Sequence, residues 1–279
     1  MSERSRYRAA VLGKPVAHSL SPVIHNAGYA AAGLAGWSYT AIECAEAELA
    51  DLVAGLGPEW AGLSLTMPLK EAALAVASEV APAAAAVGAA NTLVRRPDGT
   101  WYADNTDIPG MVSVLRGAGV PAGADVTVLG SGGTARAALA AAAQLGAAQV
   151  TVVARRPVAV EQLRPVAAAV GVALAGAAWT EAAARLGAGV VVSTVPKGVA
   201  DPLAAQASWD RSTVLFDAIY DPWPTPLAAS AAAAGCRVVS GLDLLLAQAL
   251  GQFRQFTGVP APEEAMRAAL HAARRAPPR

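Results

Sequence analysis

The sequence predicts an α/β protein whose helices cover mostly parallel β-sheets. Short apolar segments bounded by glycine alternate with alanine-rich segments along most of the chain, which is the pattern of strands joined by helical crossovers. This alternation occurs twice, so we expect two sheets and two domains. A length of 279 residues, of which 54% are hydrophobic, is sufficient for two separate cores.

The first alternation predicts a sheet that ends in a hairpin. The segments YRAAVLG, WSYTAIEC and AGLSLT are strand-like, and the segments PVIHNAGYAAAG and AELADLVAGL between them are helix-like. A further helix is expected after MPLKEAAL. NTLVRR and TWYA then flank PDG, a turn sequence that favours two antiparallel strands.

The second alternation begins after a predicted helix at residues 107–116, which leads the chain out of the first domain. The strand-like segments DVTVLG, QVTVVA, GVVVSTV, STVLFDAIY and CRVVS follow, with helices after the first, second and fourth. Such short apolar strands are typical of a sheet that is buried on both faces.

The C-terminal segments GLDLLLAQALGQFRQFTG and APEEAMRAALHAARR are helical by pattern. No strand remains for them to pair with, so we expect them to pack back onto the first domain. The predicted domains are therefore residues 1–106 with 240–279, and residues 107–239.

Charge and cysteine content exclude several classes of function. Lysine plus arginine and aspartate plus glutamate number 21 each, so we expect no binding to nucleic acid or to an anionic membrane. The two cysteines and three histidines lack the spacing of metal ligands. They predict neither a disulfide framework nor a metal site.

The sequence also predicts a cytoplasmic location. The first residues, MSERSRYR, lack the apolar segment of a signal peptide. The apolar run at residues 137–154 is interrupted by Gln144, Gly146 and Gln149. We therefore interpret it as a buried helix, a turn and a buried strand rather than as a membrane-spanning helix.

The strongest local motif is VTVLGSGGTARAALAAA, in which Gly130, Gly132 and Ala135 match G-x-G-x-x-G/A between a predicted strand and a predicted helix. Gly130 would allow a tight turn, and Gly132 would let the backbone approach a pyrophosphate. Ala135 would let helix and strand pack closely, and the N–H groups at the helix start would face the phosphates. A glycine-rich turn without a ligand is the alternative. The predicted cofactor-binding turn comprises Gly130, Ser131, Gly132, Gly133, Thr134 and Ala135.

The end of the next strand indicates which dinucleotide binds. Enzymes that use NAD usually carry Asp or Glu there, to accept hydrogen bonds from the ribose hydroxyls. This chain has Arg155 and Arg156 instead, whose guanidinium groups pair with a 2′-phosphate. The alternative is a pair of exposed loop arginines. At this position their charge predicts NADP(H).

Eight motifs in order resemble the shikimate dehydrogenase family, which also contains quinate dehydrogenases. They are GKPVAHSLSPVIHN, LSLTMPLK, GAANTLV, DNTDIPG, LGSGGTAR, STVPKG, FDAIYDPWPTPL and GLDLLLAQA. The resemblance implies an oxidoreductase that reduces 3-dehydroshikimate to shikimate with NADPH, on the route to chorismate and the aromatic amino acids. It implies a substrate-binding domain made of the two chain ends and an inserted Rossmann-like NADP-binding domain, with the active site in the cleft between them.

The resemblance assigns substrate-binding roles to polar residues of these motifs. Ser19, Ser21 and Tyr220 match residues that bind the substrate carboxylate. Ser21 would suit a helix N-cap, with Pro22 as the first helical residue, and a helix start favours an anion. Side chains that match those hydrogen-bonding the ring hydroxyls are Thr66, Asn91, Asp107 and Gln248.

Lys70 and Asp107 match the catalytic pair of the family. Hydride addition to a ketone builds charge on oxygen, which a lysine ammonium can neutralise with a proton. An exposed lysine that merely opens a helix would face the unfavourable end of the helix dipole. Residues that match those beside the nicotinamide are Ser193, Thr194, Val195, Gly241 and Leu244.

The chain departs from the family pattern at three places. Ser64 stands where the family usually has asparagine, in Asn-Val-Thr, and serine has a shorter reach. Ala154-Arg155-Arg156 replaces the usual Asn-Arg-Thr of the cofactor loop. Leu244 replaces a methionine near the nicotinamide, a change that roughly conserves volume.

Two alternative functions differ in testable ways. A relative that oxidises quinate with NAD would favour threonine at Ser21 and an acidic residue near Arg155. A metabolite sensor without activity would have lost Lys70 or Asp107, and both are present. The expected partners are a small-molecule substrate and, at most, a second copy of the chain, as a monomer or homodimer.

Overall fold

The computed structural model describes residues 7–275, which form two compact units. The first contains the chain up to Thr106 and from Leu245 onwards, and the second is Asp107–Leu244. The sequence placed the second boundary earlier, between residues 239 and 240, where the last strand ends. The units instead meet within one continuous helix, Gly241–Thr257. Residues 1–6, on which part of the expectation about a signal peptide rests, lie outside the described residues.

The first unit is built on a mixed sheet. Its strands are β1 (Tyr7–Gly13), β2 (Trp37–Glu43), β3 (Trp60–Leu65), β4 (Glu79–Val80), β5 (Thr92–Arg95) and β6 (Trp101–Asp104). They are ordered β2–β1–β3–β5–β6–β4. β1 pairs in parallel with β2 and β3, whereas β5 is antiparallel to both β3 and β6. The hairpin predicted around PDG is thus confirmed as β5 and β6.

The helices of the first unit are shorter near its middle than at its ends. They are α1 (Ser21–Ala31), α2 (Leu49–Ala54), α3 (Ala73–Val76), α4 (Pro82–Val87) and, beyond the second unit, α10 (Gly241–Thr257) and α11 (Glu263–Arg275). The single helix expected after MPLKEAAL is two short helices, α3 and α4. The short strand β4 and Pro82 separate them, because proline starts a helix but cannot continue one.

The C-terminal helices complete the core of the first unit. A Cβ atom on Gly62 in β3 would lie 2.1 Å from the ring of Phe256, so the absence of a side chain lets α10 lie directly on the sheet. Helix α11 packs along α1, with Met266 and Leu270 buried. The fold thereby brings the last part of the chain against the first.

The second unit is an entirely parallel sheet of six strands. They are β7 (Val126–Leu129), β8 (Gln149–Ala154), β9 (Ala173–Ala178), β10 (Val190–Ser193), β11 (Val214–Asp217) and β12 (Arg237–Ser240). The order β12–β11–β10–β7–β8–β9 is that of the doubly wound dinucleotide-binding fold. Chain progression reverses between β7 and β10, which marks the point where such sheets bind ligands. The predicted α/β fold class is confirmed.

Two features of the second unit differ from the sequence prediction. Its helices are α5 (Asp107–Gly117), α6 (Gly133–Gln144), α7 (Pro157–Glu161), α8 (Arg164–Val170) and α9 (Pro226–Ala233). The single helix expected after β8 is therefore two, α7 and α8, and the second has proline in its first turn. Strand β9 was missed, because its sequence ALAGAA contains none of the β-branched or aromatic residues that favour strands.

The apolar run at residues 137–154 is confirmed as helix, turn and strand, since α6 ends at Gln144 and β8 starts at Gln149. Across the described part of the chain, no helix combines the length and the hydropathy needed to cross a membrane.

A histidine lies at the centre of the aromatic core of the first unit. His25 in α1 is fully buried and stacks on Tyr39 at 4.2 Å between ring centroids, with 6° between the planes. Phe253 and Phe256 of α10 flank it. Neither ring nitrogen makes a hydrogen bond of normal geometry to a described residue. Burial lowers the pKa of His25 to about 3, only partly opposed by the neighbouring Gln252 side chain, so the ring is neutral.

The buried imidazole should make the protein sensitive to mild acid. The pKa of His25 is lower in the folded state than in the unfolded chain, so between these two values the unfolded chain binds the extra proton and is favoured as pH falls. From about pH 7.5 to about pH 5 this single group should lower the free energy of unfolding by about 2 kcal/mol. Urea unfolding of wild type and His25→Phe at both pH values measures it. The fall in unfolding free energy between the two pH values should be smaller in His25→Phe by about 2 kcal/mol. An equal fall in both proteins would contradict the conclusion that His25 is neutral in the folded state.

Candidate active site

Thr66, Lys70 and Asn91 lie in neighbouring segments at one end of the strands of the first sheet. Thr66 follows β3 directly, and its N–H donates to the carbonyl of Leu12 in β1 over 2.9 Å. Asn91 precedes β5, and its carbonyl accepts from Leu65 N–H over 2.7 Å. The carbonyl of Lys70 accepts from Ala90 N–H, also over 2.7 Å. Backbone hydrogen bonds therefore hold the segments that carry Thr66, Lys70 and Asn91 side by side.

Neither serine at the start of α1 is its N-cap residue. Helix α1 begins at Ser21 itself, with Leu20 as N-cap residue and no capping by a side chain, so Pro22 is the second helical residue. It is the Ser19 hydroxyl that accepts a hydrogen bond from Ser21 N–H, over 3.3 Å. Ser21 is buried, and its side chain neighbours the Tyr39 hydroxyl. The N-cap expectation for Ser21 was wrong, because the helix extends one residue further towards the N-terminus.

Lys70 does not open a helix. It lies in a turn, and the next helix, α3, begins at Ala73. The sequence argument from an unfavourable helix dipole therefore loses its basis. Lys70 is half-buried, and its carbonyl is hydrogen-bonded to the N–H of Ala90. The turn therefore lies at the same end of the sheet as Asn91.

Asn91 is held by several hydrogen bonds to its side chain. It is 2% exposed. Its Oδ1 accepts from the Thr92 hydroxyl over 2.8 Å and from Thr106 N–H over 2.8 Å. The Thr106 hydroxyl donates to the same oxygen over 3.1 Å. Asp107, the next residue after Thr106, is buried and starts α5 in the second unit.

Gln248 lies on α10 and is 7% exposed. Its Nε2 donates to the carbonyl of Leu245 over 2.8 Å, so its Oε1 is the atom with capacity to accept from a ligand. One helical turn further, Gln252 is fully buried and reaches β3 and β5. Helix α10 thereby brings the Gln252 side chain to the first sheet.

Ser64, the departure from the family pattern, is part of a buried polar chain. Its hydroxyl accepts from the Tyr39 hydroxyl and donates to Oε1 of Gln252, each over 2.6 Å. Burial raises the pKa of Tyr39 far above its ordinary value, so its hydroxyl stays protonated. The serine hydroxyl is fully engaged with these two side chains.

In the second unit the predicted nucleotide turn lies at the point where strand order reverses. Gly130 follows β7 with φ +110°, a conformation that excludes other residues. A Cβ there would lie 2.6 Å from the Thr194 hydroxyl oxygen, and that hydroxyl donates to the carbonyl of Leu129 over 2.9 Å. Thr194 thus closes the turn from the end of β10, where Ser193 and Val195 are also buried.

The rest of the turn is open where a ligand would need space. Gly132 is the N-cap residue of α6, and a Cβ on it would meet nothing within 4 Å. Ala135 is fully buried against the sheet. Ser131, Gly133 and Thr134 are half-buried. Arg155 and Arg156 are exposed directly after β8, the strand beside β7.

A third group of residues shapes the loop that carries Tyr220. Asp217, at the end of β11, accepts from the Thr225 hydroxyl over 2.6 Å and from Ile219 N–H over 3.2 Å. Burial raises the pKa of its carboxyl, which these hydrogen bonds oppose. A Cβ on Gly241 would lie 2.0 Å from the carbonyl oxygen of Ala218, so glycine is needed where α10 begins. Leu244, one turn later, is buried.

The predicted site residues are thus divided between the units. Ser19, Ser21, Thr66, Lys70, Asn91 and Gln248 belong to the first, whereas Asp107, Tyr220 and the residues predicted to bind the cofactor belong to the second. Sequence reasoning missed Tyr39, Gln252 and Asp217. Gln252 carried a signal, because it follows Gln248 by one turn on the same face of a helix whose residues between them are apolar or glycine.

Comparison with known proteins identifies the family. A family model described as the shikimate dehydrogenase substrate binding domain matches residues 11–93, and one described as the shikimate 5'-dehydrogenase C-terminal domain matches residues 241–271. A curated relative from Methylobacterium radiotolerans, named shikimate dehydrogenase (NADP(+)), is 40% identical over 261 residues, which cover 90% of this chain and 91% of the relative. The chain belongs to the shikimate dehydrogenase family.

Solved structures of shikimate dehydrogenases superpose over almost the whole chain. The shikimate dehydrogenase of Mycobacterium tuberculosis is 51% identical, with a TM-score of 0.87 and coverage of 95% of this chain and 99% of that one. The shikimate 5-dehydrogenase of Thermus thermophilus, solved in complex with NADP(H) and shikimate, is 33% identical with a TM-score of 0.83. It covers 96% of this chain and 99% of its own. The predicted family resemblance is confirmed.

The same substitution should affect stability strongly at one glycine of the nucleotide turn and little at another. Gly130→Ala forces a side chain into a positive φ and against Thr194, and should destabilise the protein by about 2 kcal/mol. Gly132→Ala places its methyl group in open space at an ordinary φ of −82°, and should change stability by less than about 1 kcal/mol. Thermal unfolding without ligand compares the two. Equal losses of stability would show that the turn is not built as described.

Proposed function

We propose that this protein catalyses the reversible reduction of 3-dehydroshikimate to shikimate with NADPH. The observation that carries the proposal is that Thr66, Lys70 and Asn91 lie in neighbouring segments at one end of the strands of the first sheet. Two backbone hydrogen bonds hold these segments together, from Ala90 N–H to the Lys70 carbonyl and from Leu65 N–H to the Asn91 carbonyl. A proton donor and two neutral hydrogen-bonding side chains at one place suit a hydroxylated ring that carries a ketone.

The second unit fits a phosphorylated dinucleotide. The turn from Gly130 to Ala135 is open at Gly132. Because glycine has no side chain, a ligand could approach the backbone closely at this position. The first N–H groups of α6 would hold the pyrophosphate, and Arg155 and Arg156 the 2′-phosphate. Ser193, Thr194, Val195, Gly241 and Leu244 would border the nicotinamide. When bound, the reduced cofactor supplies the hydride.

Ser19, Ser21 and Tyr220 would bind the substrate carboxylate. Serine and tyrosine hydroxyls donate hydrogen bonds to an anion without adding charge. Burial, together with the nearby carboxylate of Asp221, raises the pKa of Tyr220, so its hydroxyl stays a donor at neutral pH. Thr66, Asn91, Asp107 and Gln248 would bind the ring hydroxyls.

Lys70 would supply the proton that completes the reduction. As the carbonyl carbon gains a hydride, its oxygen becomes negative, and the Lys70 ammonium donates a proton to give the alcohol. In the oxidation direction the neutral amine accepts that proton. Asp107 would orient the reacting hydroxyl and hold Lys70 in position.

The reaction should depend steeply on Lys70. Lys70→Met keeps the aliphatic stem and removes the proton donor, so kcat with shikimate and NADP⁺ should fall by about 10²- to 10⁴-fold. Absorbance of the reduced nicotinamide follows the reaction in wild type and variant. Quinate offered beside shikimate, and NAD⁺ beside NADP⁺, define the substrate and cofactor. Preference for quinate would contradict the proposed substrate, and binding of shikimate without turnover would indicate a sensor.

Cofactor choice should depend on the arginines after β8. The double variant Arg155→Glu, Arg156→Glu removes two partners of a 2′-phosphate and adds repulsion, so KM for NADP⁺ should rise by about 30-fold or more. KM for shikimate and the thermal stability should change little, since both side chains are exposed. An unchanged ratio of kcat/KM for NADP⁺ to kcat/KM for NAD⁺ would show that these arginines do not belong to the cofactor site.

A cytoplasmic location and a monomeric or homodimeric assembly stay predictions from the sequence.

A further inference from the structure

A buried carboxamide joins the strands that carry the substrate residues. Gln252 is 0% exposed, and every polar atom of its side chain is used. Oε1 accepts from the Ser64 hydroxyl over 2.6 Å. Nε2 donates to the carbonyl oxygen of Asn91 over 3.2 Å and to the Thr92 hydroxyl oxygen over 3.0 Å.

These contacts allow only one orientation of the Gln252 amide. A backbone carbonyl can only accept, so the group that faces the oxygen of Asn91 must be the NH₂ group. Oε1 then faces Ser64, whose hydrogen must point to it. The Ser64 oxygen consequently accepts from the Tyr39 hydroxyl. The direction of each hydrogen bond, from Tyr39 to Ser64 to Gln252, follows from a single carbonyl group.

Thr106 and Gln252 together determine how Asn91 is presented. The backbone N–H of Thr106 can only donate, so the side-chain atom of Asn91 that faces it is Oδ1. Because the Thr92 hydroxyl oxygen accepts from Gln252, its own hydrogen is directed to Oδ1 of Asn91. Oδ1 also accepts from the N–H and the hydroxyl of Thr106, so its capacity as an acceptor is filled. None of the hydrogen bonds among the described residues uses Nδ2 of Asn91. The end of this side chain left for a ligand is a donor.

We infer that Gln252 is a positioning residue of the substrate site. It holds the backbone carbonyl of Asn91 and the Thr92 hydroxyl, so that Nδ2 of Asn91 can donate to a ring oxygen of the substrate. The inference rests on the proposed function and adds a residue and a direction to it. It also accounts for Ser64, which stands where the family resemblance leads one to expect asparagine, because Gln252 supplies a carboxamide to the Ser64 hydroxyl from α10. The ring oxygen at Asn91 therefore accepts a hydrogen bond.

Gln252→Leu tests the positioning role against a matched control on the same helix. Gln255 also donates a side-chain hydrogen bond, to Asp104 over 2.7 Å, and none of the hydrogen bonds among the described residues joins its side chain to Ser64 or Asn91. Gln252→Leu should raise KM for shikimate by about tenfold while KM for NADP⁺ and kcat stay within about twofold. Gln255→Leu should leave all three unchanged. Equal effects of both variants on KM for shikimate would reduce Gln252 to a structural role.

Asn91→Asp tests the direction of the hydrogen bond. Aspartate keeps an acceptor for Thr92 and Thr106 but has no N–H to donate. If Asn91 donates to the substrate, KM for shikimate should rise by about tenfold or more, at little change in the unfolding temperature. An unchanged or lower KM would mean that Asn91 accepts from the substrate, and would overturn the inference.

A compensating pair separates loss of positioning from general damage. Ser64→Asn alone should crowd the buried Gln252. Gln252→Ala alone should leave the Ser64 hydroxyl without its acceptor and remove the side-chain donor to the carbonyl of Asn91. Together they return a carboxamide to β3 and remove the one on α10, so the double variant should recover most of the lost affinity for shikimate. Additive losses would contradict the exchange. If wild type itself turns over neither shikimate nor quinate, the proposed function fails, whatever the variants show.

Discussion

At one end of the strands of the first sheet, buried polar side chains must form hydrogen bonds with one another, because water cannot reach them. Ser64, Asn91, Thr92, Thr106 and Gln252 are each no more than 5% exposed. An unsatisfied donor or acceptor in such a place costs about 1–3 kcal/mol, so the arrangement tolerates few alternatives. The segments that carry the proposed substrate residues are fixed by this requirement. The Asn91 side chain is held rigidly because its oxygen is already hydrogen-bonded to Thr92 and Thr106.

The second unit achieves its precision in another way. Its nucleotide turn is formed by backbone, with a glycine at φ +110° and a threonine hydroxyl that closes the turn from the next strand. Side chains there are small or absent, as a ligand held by backbone N–H groups requires. The loop that carries Tyr220 is likewise secured by one buried carboxylate, Asp217, and by the absence of a side chain at Gly241. The proposed substrate site is thus organised by hydrogen bonds between side chains, whereas the proposed nucleotide turn is organised by close approach of the backbone.

This contrast explains what the sequence could and could not predict. The glycine turn was predictable because its determinants, from Gly130 to Ala135, are adjacent in the chain. The contact between Ser64 and Gln252 joins residues 188 positions apart, and no local pattern predicts which distant glutamine a serine will meet. The N-cap assigned to Ser21 was wrong by one residue, which is the usual uncertainty of a helix end. The family resemblance supplied roles for the polar residues but no account of what holds them.

The missed strand β9 has a consequence for the behaviour of the protein at high concentration. It forms one edge of the second sheet, and its six residues carry neither a charge nor a proline. Charges, prolines and bulges are the means by which sheet edges resist pairing with a foreign strand. Alanine and glycine side chains also present little steric hindrance to an approaching chain. Little at this edge therefore opposes pairing with a strand of another molecule. A lysine introduced into β9 should improve solubility.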